Sequence, residues 1–186
     1  MKQKELLTKE PRNKVAHSAK ECAYLAVFIA VTIALQALLA VVPGLELVTV
    51  MFVAYSFTMG AKRGVVAAVA FSLLRQFVFG VYPKVLVLYL LYFPLLAVCF
   101  GCLGKRIKPV KGLFWVVAIA CCCTVCFTLT DNVLTPWWLG YSARDAKLYF
   151  TASLPFMIPQ VISTAVSVAV LFVPLYKVFD GIKRKI

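Results

Sequence analysis

The stretch VLVLYLLYFPLLAVCFGCLG, Val85 to Gly104, runs for 20 residues without a single charged side chain. A helix rising ~1.5 Å per residue needs about 20 apolar residues to cross ~30 Å of hydrocarbon, so this run predicts a membrane-spanning helix. Five more segments read the same way, at Cys22 to Val42, Leu45 to Ala61, Gly64 to Val81, Gly112 to Thr130 and Pro155 to Tyr176. Hydrophobic residues make up 63% of the 186, against roughly 45–50% in a soluble domain. The expected fold is therefore an all-α integral membrane protein with six transmembrane helices. It divides into a basic tail (1–20), a membrane domain (21–180) and a second basic tail (181–186). The mostly polar first 20 residues, followed by so long an apolar run, do not read as a cleaved signal peptide, so the first span is expected to remain.

The formal net charge of +13 would suit a nucleic-acid partner if the cations shared one soluble face. They do not. Sixteen of the 20 Lys and Arg residues lie in the N-terminal tail (Lys2 to Lys20), at Lys62 and Arg63, between Lys105 and Lys111, and after Tyr176. These positions alternate with the predicted spans, and the other side holds only Lys84, Arg144 and Lys147, with Arg75 inside a span. By the positive-inside rule both termini face the cytoplasm, and the connections near Pro43, Tyr82 and Trp137 to Lys147 face outward. A multi-pass protein of the cell membrane, in contact with lipid and not with nucleic acid, follows from that bias.

With direction assigned, polar side chains on different spans fall at one depth. Thr32 and Gln36 mark the first span, Ser72, Arg75 and Gln76 the third, Tyr89 and Tyr92 the fourth, Thr124, Thr128, Asp131, Asn132 and Thr135 the fifth, and Gln160, Ser163, Thr164 and Ser167 the sixth. Glu46, Lys84 and Asp131 stand at the rim of the same outer layer. An ionisable group facing lipid at a helix centre costs roughly 2.5 kcal/mol or more, so it usually faces a partner or a cavity. The candidate substrate-binding residues are thus Glu46, Arg75, Gln76, Lys84, Tyr89, Asp131, Asn132, Trp138 and Gln160. The alternative for Arg75 is a structural ion pair with Asp131 or Glu46, and for each Ser or Thr a bond to its own backbone. Trp137 and Trp138 would by default anchor at the interface.

Ala26, Ala30 and Ala34 recur every four residues on the first span and form a smooth stripe that permits close helix approach, either within the bundle or to another protein. Seven cysteines lie in or beside the apolar runs, including CFGC at Cys99 to Cys102 and CTVC at Cys123 to Cys126. Their expected role is as small buried hydrophobes, with a membrane thiol oxidoreductase as the competing reading. His17 stands alone in the basic tail, so no metal site is expected. The chain has no GxxxxGK[ST], GxSxG or HExxH, and its expected catalytic residues and cofactors are none. Nor do two repeated halves appear, as in many secondary transporters.

Three segments, PGLELVTVMFVAYSFTMGAKRG (Pro43 to Gly64), YPKVLVLYLLYFPLLAVCFGCLGK (Tyr82 to Lys105) and FTASLPFMIPQVISTAVSVAVLFVPLYKVF (Phe150 to Phe179), resemble the substrate-binding S component of energy-coupling factor (ECF) vitamin transporters. The resemblance implies a six-span subunit that captures a vitamin or related micronutrient from outside. Its partners would be a coupling transmembrane subunit, met through Ala26, Ala30 and Ala34, and two ATPase subunits that use the ATP. The loop from Pro43 to Glu46 would form part of an outer lid, and the whole subunit would tip in the membrane to deliver its cargo. Met157, with Ser163 or Thr164, stands where the family often carries a charged or amide residue and an asparagine, which leaves ligand identity open. The ELVT and LYFPLL segments lean toward the cobalamin-type subgroup. From other classes, a proton-coupled carrier using Asp131 or Glu46 and the thiol enzyme remain alternatives.

Overall fold

The computed structural model describes residues 2–41 and 47–185, with side chains from Ala19 onward. Six α-helices account for nearly all of it: α1 (Lys2–Leu39), α2 (Val48–Met59), α3 (Ala61–Phe79), α4 (Pro83–Leu103), α5 (Leu113–Leu139) and α6 (Ala143–Lys183). Four contain stretches long and apolar enough to cross a membrane, Ala19–Leu39, Pro83–Leu103, Leu113–Leu139 and Ala143–Lys183, while Val48–Met59 is a shorter apolar helix. The chain is all-helical and compatible with a multi-pass membrane protein. The two remaining expected spans depart from the pattern for separate reasons. At 12 residues α2 reaches only about 18 Å, and α3 carries Lys62, Arg63 and Arg75 within its 19 residues.

All 12 residues of α2 are buried. A helix that is apolar all round finds its stable place inside a bundle, and α2 is enclosed by α1, α3, α4 and α6. Aromatic rings tie these walls together. Phe52 on α2 meets Phe28 of α1 at 5.4 Å, Phe71 of α3 at 5.1 Å and Phe93 of α4 at 4.8 Å. Glycine lets α4 come closer than side chains would allow. A Cβ at Gly101 would fall on the Ala61 backbone and one at Gly104 on the Phe57 carbonyl, so α4 rests backbone to backbone on the α2–α3 corner. That corner turns at Gly60, whose φ of 91° lies in the left-handed region open to glycine.

Several helix ends differ from the expected boundaries. The fifth helix does not stop at Thr130 but continues to Leu139, where Gly140 (φ 66°) ends it. Tyr141 N–H donates to the Pro136 carbonyl at 2.9 Å and Gly140 N–H to the Trp137 carbonyl at 3.3 Å, the pair of bonds by which a left-handed glycine closes a helix C-terminus. The outer connection expected at Trp137 to Lys147 shrinks accordingly to residues 140–142, and both tryptophans become helical. The sixth helix begins at Ala143 rather than Pro155, because Ser142 caps it by accepting from Asp145 N–H at 3.3 Å. Pro155, Pro159 and Pro174 are all accommodated inside this 41-residue helix. The basic N-terminal segment is likewise helical, as the first half of α1.

Two contacts bring the basic helix ends together. Glu21 of α1 pairs with Arg63 of α3, and Lys183 of α6 donates to the Thr58 carbonyl at 2.6 Å. A cation at a helix C-terminus satisfies an orphan carbonyl and complements the helix dipole, and here it fastens α6 to the end of α2. The polar residues of the candidate site gather at the other end of the bundle.

Candidate functional site

Arg75 sits one turn before the end of α3. Its guanidinium lies over the Phe79 ring at 4.5 Å and the Tyr89 ring at 4.7 Å. Its Nε donates to Gln36 Oε1 at 3.0 Å, and Gln36 Nε2 donates to the Tyr89 hydroxyl at 3.1 Å. Three helices thereby hold one cation. Two ring faces contribute roughly 0.5–2 kcal/mol each, the upper figure when water is excluded. Among the described residues no carboxylate pairs with Arg75, and its Nη1 is buried without a hydrogen-bond partner. The expected alternative, an ion pair with Asp131, is not what forms. Glu46, the other candidate partner, lies outside the described residues.

Asp131 instead pairs with Lys84. The Lys84 Nζ donates to Asp131 Oδ1 at 3.1 Å and to Thr135 Oγ1 at 2.7 Å, while Thr135 Oγ1 donates to Asp131 Oδ1 at 3.0 Å. Both charged side chains are about a quarter exposed, 24% and 28%. The sequence places them for this: Lys84 begins α4 next to Pro83, whose missing N–H is harmless in a first turn, and Asp131 and Thr135 are one turn apart on α5. This cluster closes the gap between α4 and α5 at that end. Its charges cancel.

The other candidates fall into distinct surroundings. Gln76 is buried, accepts from the Tyr82 backbone N–H at 3.1 Å and so shapes the α3–α4 turn. Tyr89 is buried against Phe93 at 5.0 Å and Phe127 at 6.1 Å, linking the Arg75 group to α5. Asn132 is 4% exposed, and its Nδ2 lacks a partner among the described residues. Gln160 accepts from Thr128 at 3.0 Å, one turn from the Thr124 and Thr164 hydroxyls, which meet at 3.1 Å. These two contacts fasten α5 to α6. Trp138 is exposed in the last turn of α5 beside Trp137. Among the hydroxyls of the stripe, Thr32, Ser72, Thr124 and Thr128 bond their own backbone, each reaching the carbonyl four residues before.

Arg75, Gln36 and Tyr89 thus form one group, joined through Tyr89 and Phe127 to the α5 face that carries Asp131 and Asn132. Gln36 and Phe79 were not among the candidates expected to bind. The signal for Gln36 was its place one turn after Thr32, and for Phe79 its place one turn after Arg75; neither spacing reveals which helix lies opposite.

Ala26, Ala30 and Ala34 are exposed, since α1 packs through Phe28, Ile29 and Thr32 and turns its alanines away from the bundle. The cysteines depart from expectation. Cys22, Cys99, Cys102, Cys122 and Cys126 are exposed on the outside of the helices rather than buried among them. A cysteine is small and apolar enough to face lipid as readily as a core, so hydrophobicity alone did not tell the two apart. Cys99 of α4 and Cys123 of α5 line the same space between the helices, so it is the two CxxC segments that face each other rather than the ends of either. No group of three or more potential metal ligands occurs among the described residues. No family model matches the chain, and no curated protein or solved structure shows significant similarity to it.

Proposed function

We propose that this chain is the substrate-binding membrane subunit of an ECF-type importer, set in the cell membrane with six spans and both termini in the cytoplasm. It captures a vitamin or related micronutrient from outside and delivers it by association with a coupling transmembrane subunit and two ATPase subunits. The observation that carries the reading is Arg75, a cation held by three helices with one buried nitrogen uncommitted. A buried donor without an acceptor costs about 1–3 kcal/mol, more when charged. A ligand carboxylate, phosphate or carbonyl would relieve that cost. The ligand class is therefore narrowed to micronutrients with an acceptor group.

Two further features support the reading. The outward-facing alanines leave α1 free for a helix of the coupling subunit, and the chain has no phosphate-binding loop of its own. The thiol alternative has less support, because the exposed cysteines lie on the outside of apolar helices, with no cation in either CxxC segment to activate a thiolate. The proton-carrier alternative loses Asp131 to its pairing with Lys84.

The test is reconstitution. Purified chain, titrated with a panel of water-soluble vitamins that includes cobalamin, binds one of them but accumulates none in proteoliposomes. Uptake begins when the coupling subunit, both ATPases and ATP are added. Ligand accumulation by the chain alone overturns the proposal, and so does failure to bind any member while remaining folded.

A further inference from the structure

The helices α4 and α5 meet near the Lys84–Asp131 cluster and again where Tyr92 touches Phe127 at 4.6 Å. Toward the basic end α4 leans through Gly101 and Gly104 onto Ala61 and Phe57, while α5 rests chiefly on α6. Between them runs a groove of about 450 Å³, lined by Leu91, Leu95 and Cys99 on one side and Ile119, Cys122 and Cys126 on the other. From Leu88 to Cys99 it follows α4 for about 16 Å, close to half of a ~30 Å hydrocarbon core. A helix of ~10 Å diameter over that length would occupy roughly 1,200 Å³. The groove therefore has room for a single flexible chain, whereas a protein helix would stand largely outside it.

Charge selects which end carries a head group. The loop of residues 104–112 joining the two helices holds Lys105, Arg106, Lys108 and Lys111 and no acid. All four are exposed, and among the described residues none has an ion-pair partner. At the opposite end Lys84 is neutralised by Asp131, and Arg144 and Lys147 flank Asp145. Phe114 and Trp115, exposed by 74% and 59% at the start of α5, mark the depth at which aromatic side chains sit among head groups.

We infer that the α4–α5 groove binds one acyl chain of an anionic phospholipid whose phosphate is held by Lys105, Arg106, Lys108 and Lys111. Basic segments next to spans attract anionic lipids in general. Here an apolar slot begins four residues above the loop on α4, an interval of about 6 Å that the glycerol and ester groups fill. The site depends on α4 and α5 lying in a bilayer and not on the receptor reading.

Native mass spectrometry of the purified chain in mild detergent tests it, using phosphatidylglycerol and phosphatidylcholine of equal acyl length. The expected result is at least fivefold tighter retention of phosphatidylglycerol. Replacing all four cations, K105Q/R106Q/K108Q/K111Q, brings its affinity down to that of phosphatidylcholine. Filling the groove, with Leu95→Trp or independently Cys122→Phe, weakens both lipids at least fivefold, each variant being first confirmed folded by its melting curve. The control R144Q/K147Q changes neither. Equal affinity for the two lipids overturns the inference, as does a groove-filling change without effect or a control that weakens binding as much as the loop variant. Vitamin binding near Arg75, at the other end of the bundle, is measured on the same variants and stays unchanged, so failure here leaves the receptor reading standing.

Discussion

Arg75 lies between Phe79 and Tyr89, with Gln36 on its Nε and nothing among the described residues on its Nη1. A buried charge whose partners are incomplete is a site where removing the charge can stabilise the empty protein. Arg75→Met keeps the unbranched apolar stem of the side chain and ends about where Nε stands, removing the guanidinium. The expected outcome is an unchanged or higher melting temperature without ligand, together with at least a tenfold loss of ligand affinity by calorimetry, about 1.4 kcal/mol. An equal loss of stability would mark Arg75 as a structural ion and sink its role in binding. The Lys84–Asp131 pair should behave in the opposite way. It is complete, partly exposed and already neutral, so Lys84→Met or Asp131→Leu alone is expected to cost about 1–2 kcal/mol of stability by leaving its partner uncompensated. The double replacement should recover most of it, a coupling that a double-mutant cycle in denaturant reads directly.

At the scale of the helix, α2 is the post around which the others stand, and glycines decide how closely α4 approaches it. Gly101 faces the Ala61 backbone, which cannot move aside as a side chain would. Gly101→Ala is therefore expected to lower stability by about 1–3 kcal/mol, the usual cost of overfilling a packed seam. The same change at Gly181, inside α6, meets nothing within 4 Å and should be neutral or stabilise by up to about 1 kcal/mol. Thermal unfolding in detergent compares the two; equal melting temperatures would mean that the seam between α4 and the start of α3 relaxes freely. The ends of α5 and α6 make a related point. The sixth expected span began at Pro155, yet Ser142 had already capped the start of α6, and the helix continues through Pro155, Pro159 and Pro174.

For the whole molecule, the two ends differ in charge and in chemistry. The proposed orientation requires that a cysteine at Lys108 be labelled only from the cytoplasmic side and one at Lys147 only from outside, in a cysteine-free background that still binds ligand. Labelling of both from the same side would remove the receptor's outward mouth. That asymmetry was legible along the chain, because membrane thickness demands long apolar runs and cations between runs sort to one face. So were the helical class and the alanine row on α1. What lay beyond reading was pairing. A periodic stripe states which residues share a face of their own helix and nothing about the neighbour that faces them. Only when six helices pack does Asp131 meet Lys84 rather than Arg75, Gln36 become the link between Arg75 and Tyr89, and the cysteines turn outward. Those outcomes depend on long-range contacts between α1, α3, α4 and α5, where the closeness allowed by two glycines and the width of a few aromatic rings set which side chains come within bonding distance.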